Sequence, residues 1–156
     1  MLDIKIIKII MKKFLIALLM TVVCVGVASA ADEYVRDANV LPKAARIELK
    51  KNFKAGINLI KLDKTLGRVT DYEVILTDGT EVSYDADGNW EEVEVGRGKS
   101  VPAVYIPAGV QKYVRANHKG AAIVGIDKGR SSYEVKLSDG LELKFDAQGN
   151  FKKYDD

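Results

Sequence analysis

The chain has few of the residues that build thiol, imidazole or zinc chemistry. Its 156 residues include one Cys and one His, which excludes Cys/His zinc sites, cysteine–histidine dyads and any site that needs two imidazoles. Only three Pro and 13 Gly accompany 47% hydrophobic residues, which excludes collagen-like and wholly disordered chains. The formal net charge of +2 is too small for a general nucleic-acid binder. The length is that of one ordinary domain.

A basic segment followed by an apolar run marks the N-terminus. Two lysines precede apolar residues 14–27, and residues 28–30 are small, at the positions that a signal peptidase reads. This order is typical of a secretory signal peptide. We predict a signal peptide over residues 1–30, cleavage after Ala30, and a periplasmic or secreted mature protein. An uncleaved anchor is the alternative, and Met11 is a second candidate start.

Export has consequences for stability and charge. The single Cys lies inside the predicted signal peptide, so the mature chain cannot form a disulfide and depends on its core. Without residues 1–30 the chain has 20 Lys and Arg against 21 Asp and Glu, a net charge of −1.

One sequence pattern occurs twice. Residues 72–79 (YEVILTDG) return as residues 133–140 (YEVKLSDG), and residues 84–90 return as residues 145–151, both at an offset of 61. Such repetition indicates a duplicated unit and not a short solenoid period. The predicted units span residues 31–98 and 99–156 and together form one domain.

Each unit changes from a helical to an alternating pattern. Apolar residues recur every fourth position from Leu41 to Phe53 and from Ile106 to Val114, which indicates a helix. Apolar and polar residues alternate afterwards, and Asp-Gly pairs mark hairpins. Each unit is therefore predicted to be a helix followed by four strands. The predicted helices span 41–54 and 106–118, and the predicted strands span 57–63, 69–77, 80–86, 89–95, 121–128, 131–138, 141–146 and 149–154.

These elements predict an α+β fold of two tandem helix-plus-four-strand repeats. The strands would form one antiparallel sheet with both helices on the same face, because the apolar side of the sheet needs a cover. The opposite face would be polar and open to solvent, and we regard it as the candidate binding surface. Its candidate residues are Glu73, Glu81, Glu134, Lys136, Glu142 and Lys144.

The order of motifs resembles a known family. Leu41-Pro42, a helix ending near Phe53, the DGTEV and YDxDGNW segments and their second copies up to Phe151 are similar to the PepSY-like periplasmic proteins, across nearly the whole mature chain. The resemblance implies a fold like that of the beta-lactamase inhibitor protein, with helices packed on an antiparallel sheet. It also implies a role in binding or restraining peptidases or other exported proteins. The second copy departs from the pattern with His118 where the first copy has Phe53.

Two local motifs have both a functional and a structural interpretation. Residues 96–100 (GRGKS) resemble the end of a phosphate-binding loop. However, Val93 occupies the position where such a loop has its first glycine, and Pro102 follows where the loop would open a helix. Asp85, Asp87 and Asn89 have calcium-loop spacing, but the EF-hand glycine and glutamate positions are occupied by other residues. We predict a linker and a turn, with no metal and no cofactor. The single His118 is expected to cap or pack a helix end.

Charge is unevenly distributed along the chain. Residues 40–68 contain eight basic and two acidic residues, residues 69–95 contain nine acidic and no basic residues, and residues 131–154 balance four against four. The pattern is typical either of solvated strand faces or of a surface that steers a partner with a basic patch.

The sequence therefore favours an exported, non-enzymatic protein-binding module that acts through the open sheet face. An inhibitor of a peptidase or of another exported protein is one form of this hypothesis, with no nucleic acid and no stable membrane insertion. The alternative is a sensor or carrier of a small ligand or cation, which would need a pocket with converging polar groups. Catalysis is the poorest hypothesis, because no local spacing assembles a titratable set.

Overall fold

The structure, a computed structural model, describes residues 32–155. The predicted signal peptide and its cleavage site lie outside the described residues. The helices are α1 (Lys43–Asn52) and α2 (Ala108–Asn117), and short 3-10 turns cover Ala38–Val40 and Ala103–Tyr105. The strands are β1 (Glu33–Val35), β2 (Ile57–Thr65), β3 (Arg68–Leu76), β4 (Glu81–Asp85), β5 (Trp90–Glu94), β6 (Ile123–Lys128), β7 (Ser132–Leu137), β8 (Glu142–Asp146) and β9 (Phe151–Asp155).

The nine strands form one antiparallel sheet in which spatial order follows chain order, from β1 to β9. Sequential pairing of this kind needs only short connections, and Asp-Gly turns supply those between β3 and β4 and between β7 and β8. The segment that contains α2 connects β5 to β6. The predicted α+β class with an open antiparallel sheet and two helices is confirmed.

One hydrophobic core lies between the two helices and one face of the sheet. Ala45 and Leu49 of α1 and Val110 and Val114 of α2 are buried in it. On the sheet side, Tyr84 and Phe145 are the largest side chains that are fully buried. Since all of these belong to one cluster, both helices cover the same face of the sheet.

Glycines in two turns let the helices approach the sheet closely. Gly88 and Gly149 adopt φ values of 86° and 81°, which suit glycine because it lacks a Cβ. A Cβ on Gly88 would lie 2.7 Å from the Cβ of Pro42, just before α1. A Cβ on Gly149 would lie 3.2 Å from the backbone nitrogen of Val110 in α2. The turns after β4 and β8 therefore hold the N-terminal ends of the helices.

Element boundaries differ from the prediction for local reasons. Pro42 and Pro107 have ψ values of 145° and 144°, so they precede their helices and do not form the first turn. Strand β2 continues to Thr65 because its hairpin with β3 is longer than the apolar alternation suggests. The short edge strand β1 was not predicted at all.

The segment 96–100 is a connection and opens no helix; it leads to the 3-10 turn at Ala103–Tyr105. A Cβ on Gly96 would lie 2.2 Å from the carbonyl oxygen of Asp78, so the backbones touch there. Lys99 forms an ion pair with the Asp78 carboxylate. This segment is therefore docked against the turn after β3.

Within residues 32–155, neither helix has the length and apolar character required to cross a bilayer.

Candidate functional site: the open face of the sheet

The sheet face opposite the helices carries two rows of residues aligned across the strands. Antiparallel partners lie directly opposite each other with their side chains on the same face. The first row, from β3 to β8, consists of Glu73, Ser83, Glu92, Asp127, Glu134 and Lys144. The second row, from β4 to β8, consists of Glu81, Glu94, Gly125, Lys136 and Glu142.

All six residues proposed from the sequence occur in these two rows. Glu73, Glu134 and Lys144 belong to the first row, and Glu81, Lys136 and Glu142 belong to the second. The structure thus brings them onto one surface. Their role in binding stays a prediction.

The centre of this face concentrates negative charge. We define the acidic strip as Glu73, Glu81, Glu92, Glu94 and Asp127, on strands β3 to β6. Glu81 lies directly opposite Glu94, and Glu92 lies directly opposite Asp127. Like charges in directly opposed positions destabilise a sheet. The arrangement therefore disfavours the folded protein locally.

Glu81 shows this effect in its proton affinity. Burial raises the pKa of the Glu81 carboxyl, and the negative charges of Glu73 and Glu94 raise it further. All three causes favour the protonated acid over the carboxylate. A nearby cation would have the opposite effect.

Lysines neutralise the strip at its two borders. Lys61 on β2 lies 3.9 Å from Glu73, and also pairs with Asp63 at 3.1 Å and Asp32 at 3.5 Å. Burial lowers the pKa of Lys61, but the hydrogen bond and charges of these carboxylates outweigh it and leave the pKa above its usual value. On the other side, the Lys136 ammonium lies 3.1 Å from the Glu94 carboxylate.

The half of the face beyond β6 is internally balanced. Lys144 lies between Glu134, at 3.2 Å, and Asp155, at 2.9 Å. A hydrogen bond from Lys144 to Asp155 is the main cause that raises the pKa of Lys144. The charge difference between the two halves, visible in the sequence, is therefore also present on the open face.

A small polar residue, Ser83, lies among the carboxylates of the strip. Ser83 lies between Glu73 and Glu92 in the first row and is only 7% exposed. Carboxylates thus surround a recessed hydroxyl that is able to accept a hydrogen bond.

The carboxylates do not converge on a single point. Among the described residues, no three His, Cys, Asp or Glu side chains are close enough to hold one metal ion. In the turn with calcium-loop spacing, Asp85 Oδ1 accepts hydrogen bonds from the backbone N–H groups of Asp87 and Asn89, and Oδ2 accepts from Asn89 Nδ2. Asp146 makes the same contacts with Gln148 and Asn150. These carboxylates close turns, as the sequence predicted.

Most of the aromatic side chains lie on the helix side and not in the strip. The Tyr105 ring packs edge-on against Trp90, with centroids 5.2 Å apart, and stacks on Phe53 at 5.9 Å. Tyr113 stacks on Phe151 at 4.4 Å. Trp90 and Phe151 are partly buried against the core.

His118 follows α2 directly and donates its backbone N–H to the carbonyl of Val114. Its ring lies 6.0 Å from that of Tyr113 and 5.9 Å from that of Tyr154. These contacts are those of a residue that packs a helix end, as the sequence suggested.

Four contributors to the face were not among the predicted site residues: Glu92, Glu94, Asp127 and Lys61. A β-bulge explains two of them. The pairing shifts by one residue between Ser83 and Tyr84, so that Tyr84 faces Trp90 whereas Ser83 faces Glu92. This extra residue in β5 changes which glutamates point to the open face. Asp127 joins the strip through the β5–β6 pairing, for which local sequence gives no signal.

Comparison with known proteins agrees with this architecture. The beta-lactamase-inhibitor-like, PepSY-like family model matches residues 70–153. A Bacteroides vulgatus structure, described as a "putative periplasmic protein of unknown function", is 40% identical, with a TM-score of 0.75 over 81% of this chain and 100% of that one. A Bacteroides thetaiotaomicron structure, described as a "putative calcium-regulated periplasmic protein", is 37% identical, with a TM-score of 0.72 over 80% of this chain and 97% of that one.

A second Bacteroides vulgatus structure, described as a "putative periplasmic protein from DUF2874 family", is 32% identical, with a TM-score of 0.71 over 80% of this chain and 97% of that one. No curated protein matches the chain. The family model spans more than half of the chain, and the solved structures extend the similarity to about four fifths of it. The resemblance inferred from the sequence is confirmed: the chain belongs to the PepSY-like, beta-lactamase-inhibitor-like family.

Proposed function

We propose that this protein is an exported, non-enzymatic module that binds another exported protein through the open face of its sheet. The observation that carries the proposal is the asymmetry of the sheet. One face packs under both helices, whereas the other presents two aligned rows of charged residues that neither helix covers. A large polar face on a rigid sheet is suited to protein recognition, because electrostatic complementarity gives specificity.

The family membership supports a binding role over catalysis. The family model is described as beta-lactamase-inhibitor-like, and inhibitors act by contact. In this proposal the partner is an exported enzyme, with a peptidase as the first class to test, and the protein restrains its activity. The candidate contact residues remain Glu73, Glu81, Glu134, Lys136, Glu142 and Lys144.

The proposal also includes the cellular location of the protein and its division into two units. Solved relatives are described as periplasmic, which supports export by the signal peptide at residues 1–30. Equivalent turns after β4 and β8 support tandem units over residues 31–98 and 99–156. Mass spectrometry of the protein recovered from the periplasm should give an N-terminus at Ala31; an intact N-terminus would contradict cleavage after Ala30.

Affinity capture from an exported-protein fraction tests the binding surface. We expect the wild-type protein to retain a defined partner and the Glu73→Lys/Glu81→Lys variant to lose it. The matched control is Lys50→Glu/Lys51→Glu, which changes two charges on α1, on the other side of the sheet. Equal retention by wild type and the open-face variant, or loss with the α1 variant alone, would contradict the proposed surface.

A second candidate function is cation sensing in the same compartment. It is favoured by one relative, described as calcium-regulated, together with the like-charge pairs of the acidic strip. Binding of a ligand to the folded state raises Tm. Calcium that raises Tm at concentrations where magnesium does not would support this function; equal and small shifts with both ions would contradict it.

A further inference from the structure

The helical segments of the chain carry an excess of positive charge. Residues 38–54 contain five Lys or Arg and one Glu, and residues 103–119 contain three Lys or Arg and no Asp or Glu. Over residues 31–156, by contrast, 20 basic residues are balanced by 21 acidic ones. The basic residues are therefore concentrated in the helix layer, on the side of the sheet opposite the acidic strip.

Most of these basic side chains are exposed. We define the basic helix face as the seven exposed Lys and Arg side chains within residues 43–54 and 112–119. Both helices cover the same face of the sheet, so their outer sides belong to one surface. Within residues 32–155, none of the seven forms an ion pair with a carboxylate. The positive charge of this face is thus available to a partner.

The one acidic residue of these segments does not lie on the basic helix face. Glu48 is partly buried. Burial and the Glu48 carboxylate together raise the pKa of the Tyr84 and Tyr105 phenols, so the carboxylate lies beside two residues of the core. Tyr113 follows 65 residues after Glu48, in α2. Neither helix therefore presents an exposed acid.

An exposed isoleucine lies among the lysines of α1. Ile47 is 57% exposed. Lys43 precedes it by four residues, and Lys50 and Lys51 follow it by three and four, so these side chains lie beside Ile47 on the helix surface. Lysines combined with an apolar residue are typical of helices that lie on membrane surfaces. There the lysines meet anionic headgroups, and the apolar side chain reaches the boundary between headgroups and acyl chains.

We infer that the basic helix face binds to the surface of a bilayer that contains anionic phospholipids, with Ile47 at the centre of the contact made by α1. Dispersed lysines suit a planar array of phosphate groups, because each ammonium meets a headgroup without needing a shaped pocket. The helices stay packed on the sheet, and the open face points away from the membrane. This inference goes beyond the proposed function, since it leaves the open face free for the protein partner.

Co-sedimentation with lipid vesicles tests the inference on the protein purified after export. Vesicles of phosphatidylcholine and phosphatidylglycerol in equal parts should bind the protein, high salt should release it, and vesicles of phosphatidylcholine alone should not retain it. Lys50→Glu/Lys51→Glu should weaken binding to the anionic vesicles about 20-fold or more, since each lysine near such a surface contributes about a factor of five. Arg115→Glu/Lys119→Glu, at the end of the other helix, should have a similar effect and excludes a purely local disturbance of α1.

The matched control is Arg68→Glu/Arg130→Glu, which changes the net charge equally at the exposed hairpins between β2 and β3 and between β6 and β7. It should weaken vesicle binding by less than about threefold, because these positions lie outside the basic helix face. Equal weakening by the control and the helix variants, equal binding to both kinds of vesicle, or no binding to anionic vesicles would overturn the inference.

Polyglutamate, a soluble polyanion, distinguishes a membrane from an acidic protein. Ile47→Ser should weaken vesicle binding about threefold and leave polyglutamate binding unchanged, because only a bilayer accepts the apolar side chain. Tighter binding of polyglutamate than of vesicles, with no effect of Ile47→Ser on vesicle binding, would overturn the inference in favour of an acidic protein. Affinity capture of the protein partner is expected to survive Lys50→Glu/Lys51→Glu, so a failure of vesicle binding and a failure of the proposed function are separate results.

Discussion

Glu81 on β4 lies directly opposite Glu94 on β5, on the face of the sheet that the helices leave uncovered. Two carboxylates in this relationship repel each other, and Lys136 forms an ion pair with Glu94. A protein under selection for stability alone would exchange one of them. The pair therefore favours the proposal that this face serves binding and not stability.

Removal of the Glu81 charge should stabilise the protein at neutral pH. Because burial and the charges of Glu73 and Glu94 raise its pKa in the folded state, the ionised form disfavours folding once the pH exceeds that raised value. Glu81→Gln should increase the free energy of unfolding by about 0.5–1 kcal/mol at pH 7. The gain should vanish below the usual glutamate pKa, where the wild-type acid is protonated in both states.

Urea denaturation at pH 7 and pH 3.5 measures this difference, and Asp78→Asn is a control of opposite sign. A hydrogen bond from Lys99 lowers the pKa of Asp78, so its stabilising effect exists at neutral pH and is lost as the pH falls through the lowered value. A Glu81→Gln variant less stable than wild type at pH 7 would show that this charge does not oppose folding.

Tyr84 should tolerate, and benefit from, the loss of its hydroxyl. The side chain is fully buried, its Oη has no hydrogen bond within the described residues, and burial raises the pKa of the phenol. Phe145 is its counterpart in the second sequence unit and is equally buried. We expect Tyr84→Phe to raise the free energy of unfolding by about 1 kcal/mol, since an unsatisfied buried polar group carries a penalty of that order.

The reciprocal variant Phe145→Tyr should destabilise the protein, because it buries a new hydroxyl in the core. Thermal and chemical unfolding of both variants give the comparison. A clear loss of stability in Tyr84→Phe would indicate that the hydroxyl makes a stabilising contact, for example with the nearby Glu48 carboxylate.

Gly109 in α2 should resist replacement by alanine although alanine favours helices. A Cβ at this position would lie 2.7 Å from the carbonyl oxygen of Gly149, and overpacking of this kind costs about 1–3 kcal/mol. Helix propensity alone predicts a gain of about 1 kcal/mol. We expect Gly109→Ala to lower the stability and the Tm of the protein. The control Ala116→Gly, at an exposed position of the same helix, should lower stability only by the difference in helix propensity. A stabilised Gly109→Ala protein would mean that α2 does not approach this turn closely.

The hairpin between β2 and β3 contains a leucine in an unfavourable conformation. Leu66 has a φ of 52° and is 100% exposed, and Gly67 follows with a φ of 76°. Two successive positive φ values are typical of a type I′ turn, in which Asn-Gly is preferred. Leu66→Asn should stabilise the protein by about 1 kcal/mol, and the β-branched Leu66→Val should destabilise it. The reverse order of Tm values would rule out this turn geometry.

The sequence was informative where structure depends on local pattern. Apolar residues at every fourth position identified both helices. The alternation of apolar and polar residues, together with Asp-Gly pairs, identified eight of the nine strands. The residues placed on the open face from alternation occupy that face. These features follow from the period of the backbone and from turn chemistry, which neighbouring residues alone determine.

The remaining features depend on contacts between distant residues. The pairing of Glu92 with Asp127 arises only when β5 pairs with β6. The bulge in β5 shifts its register against β4 by one residue, which changes the side chains that point to the open face. Strand β1 has three residues, too few for a detectable alternation, and forms by pairing with β2. The sequence therefore showed only an imbalance of charge. The structure shows that these residues form one continuous acidic strip.

Site-specific photocrosslinking in the exporting cell tests most directly whether the open face is the binding surface. A photoreactive residue would replace Glu81 or Lys136 on the open face, or Lys112 on α2 as the control. We predict a crosslinked partner from the two open-face positions and none from position 112. Crosslinks that form at position 112 and not at positions 81 and 136 would contradict a binding role for the open face.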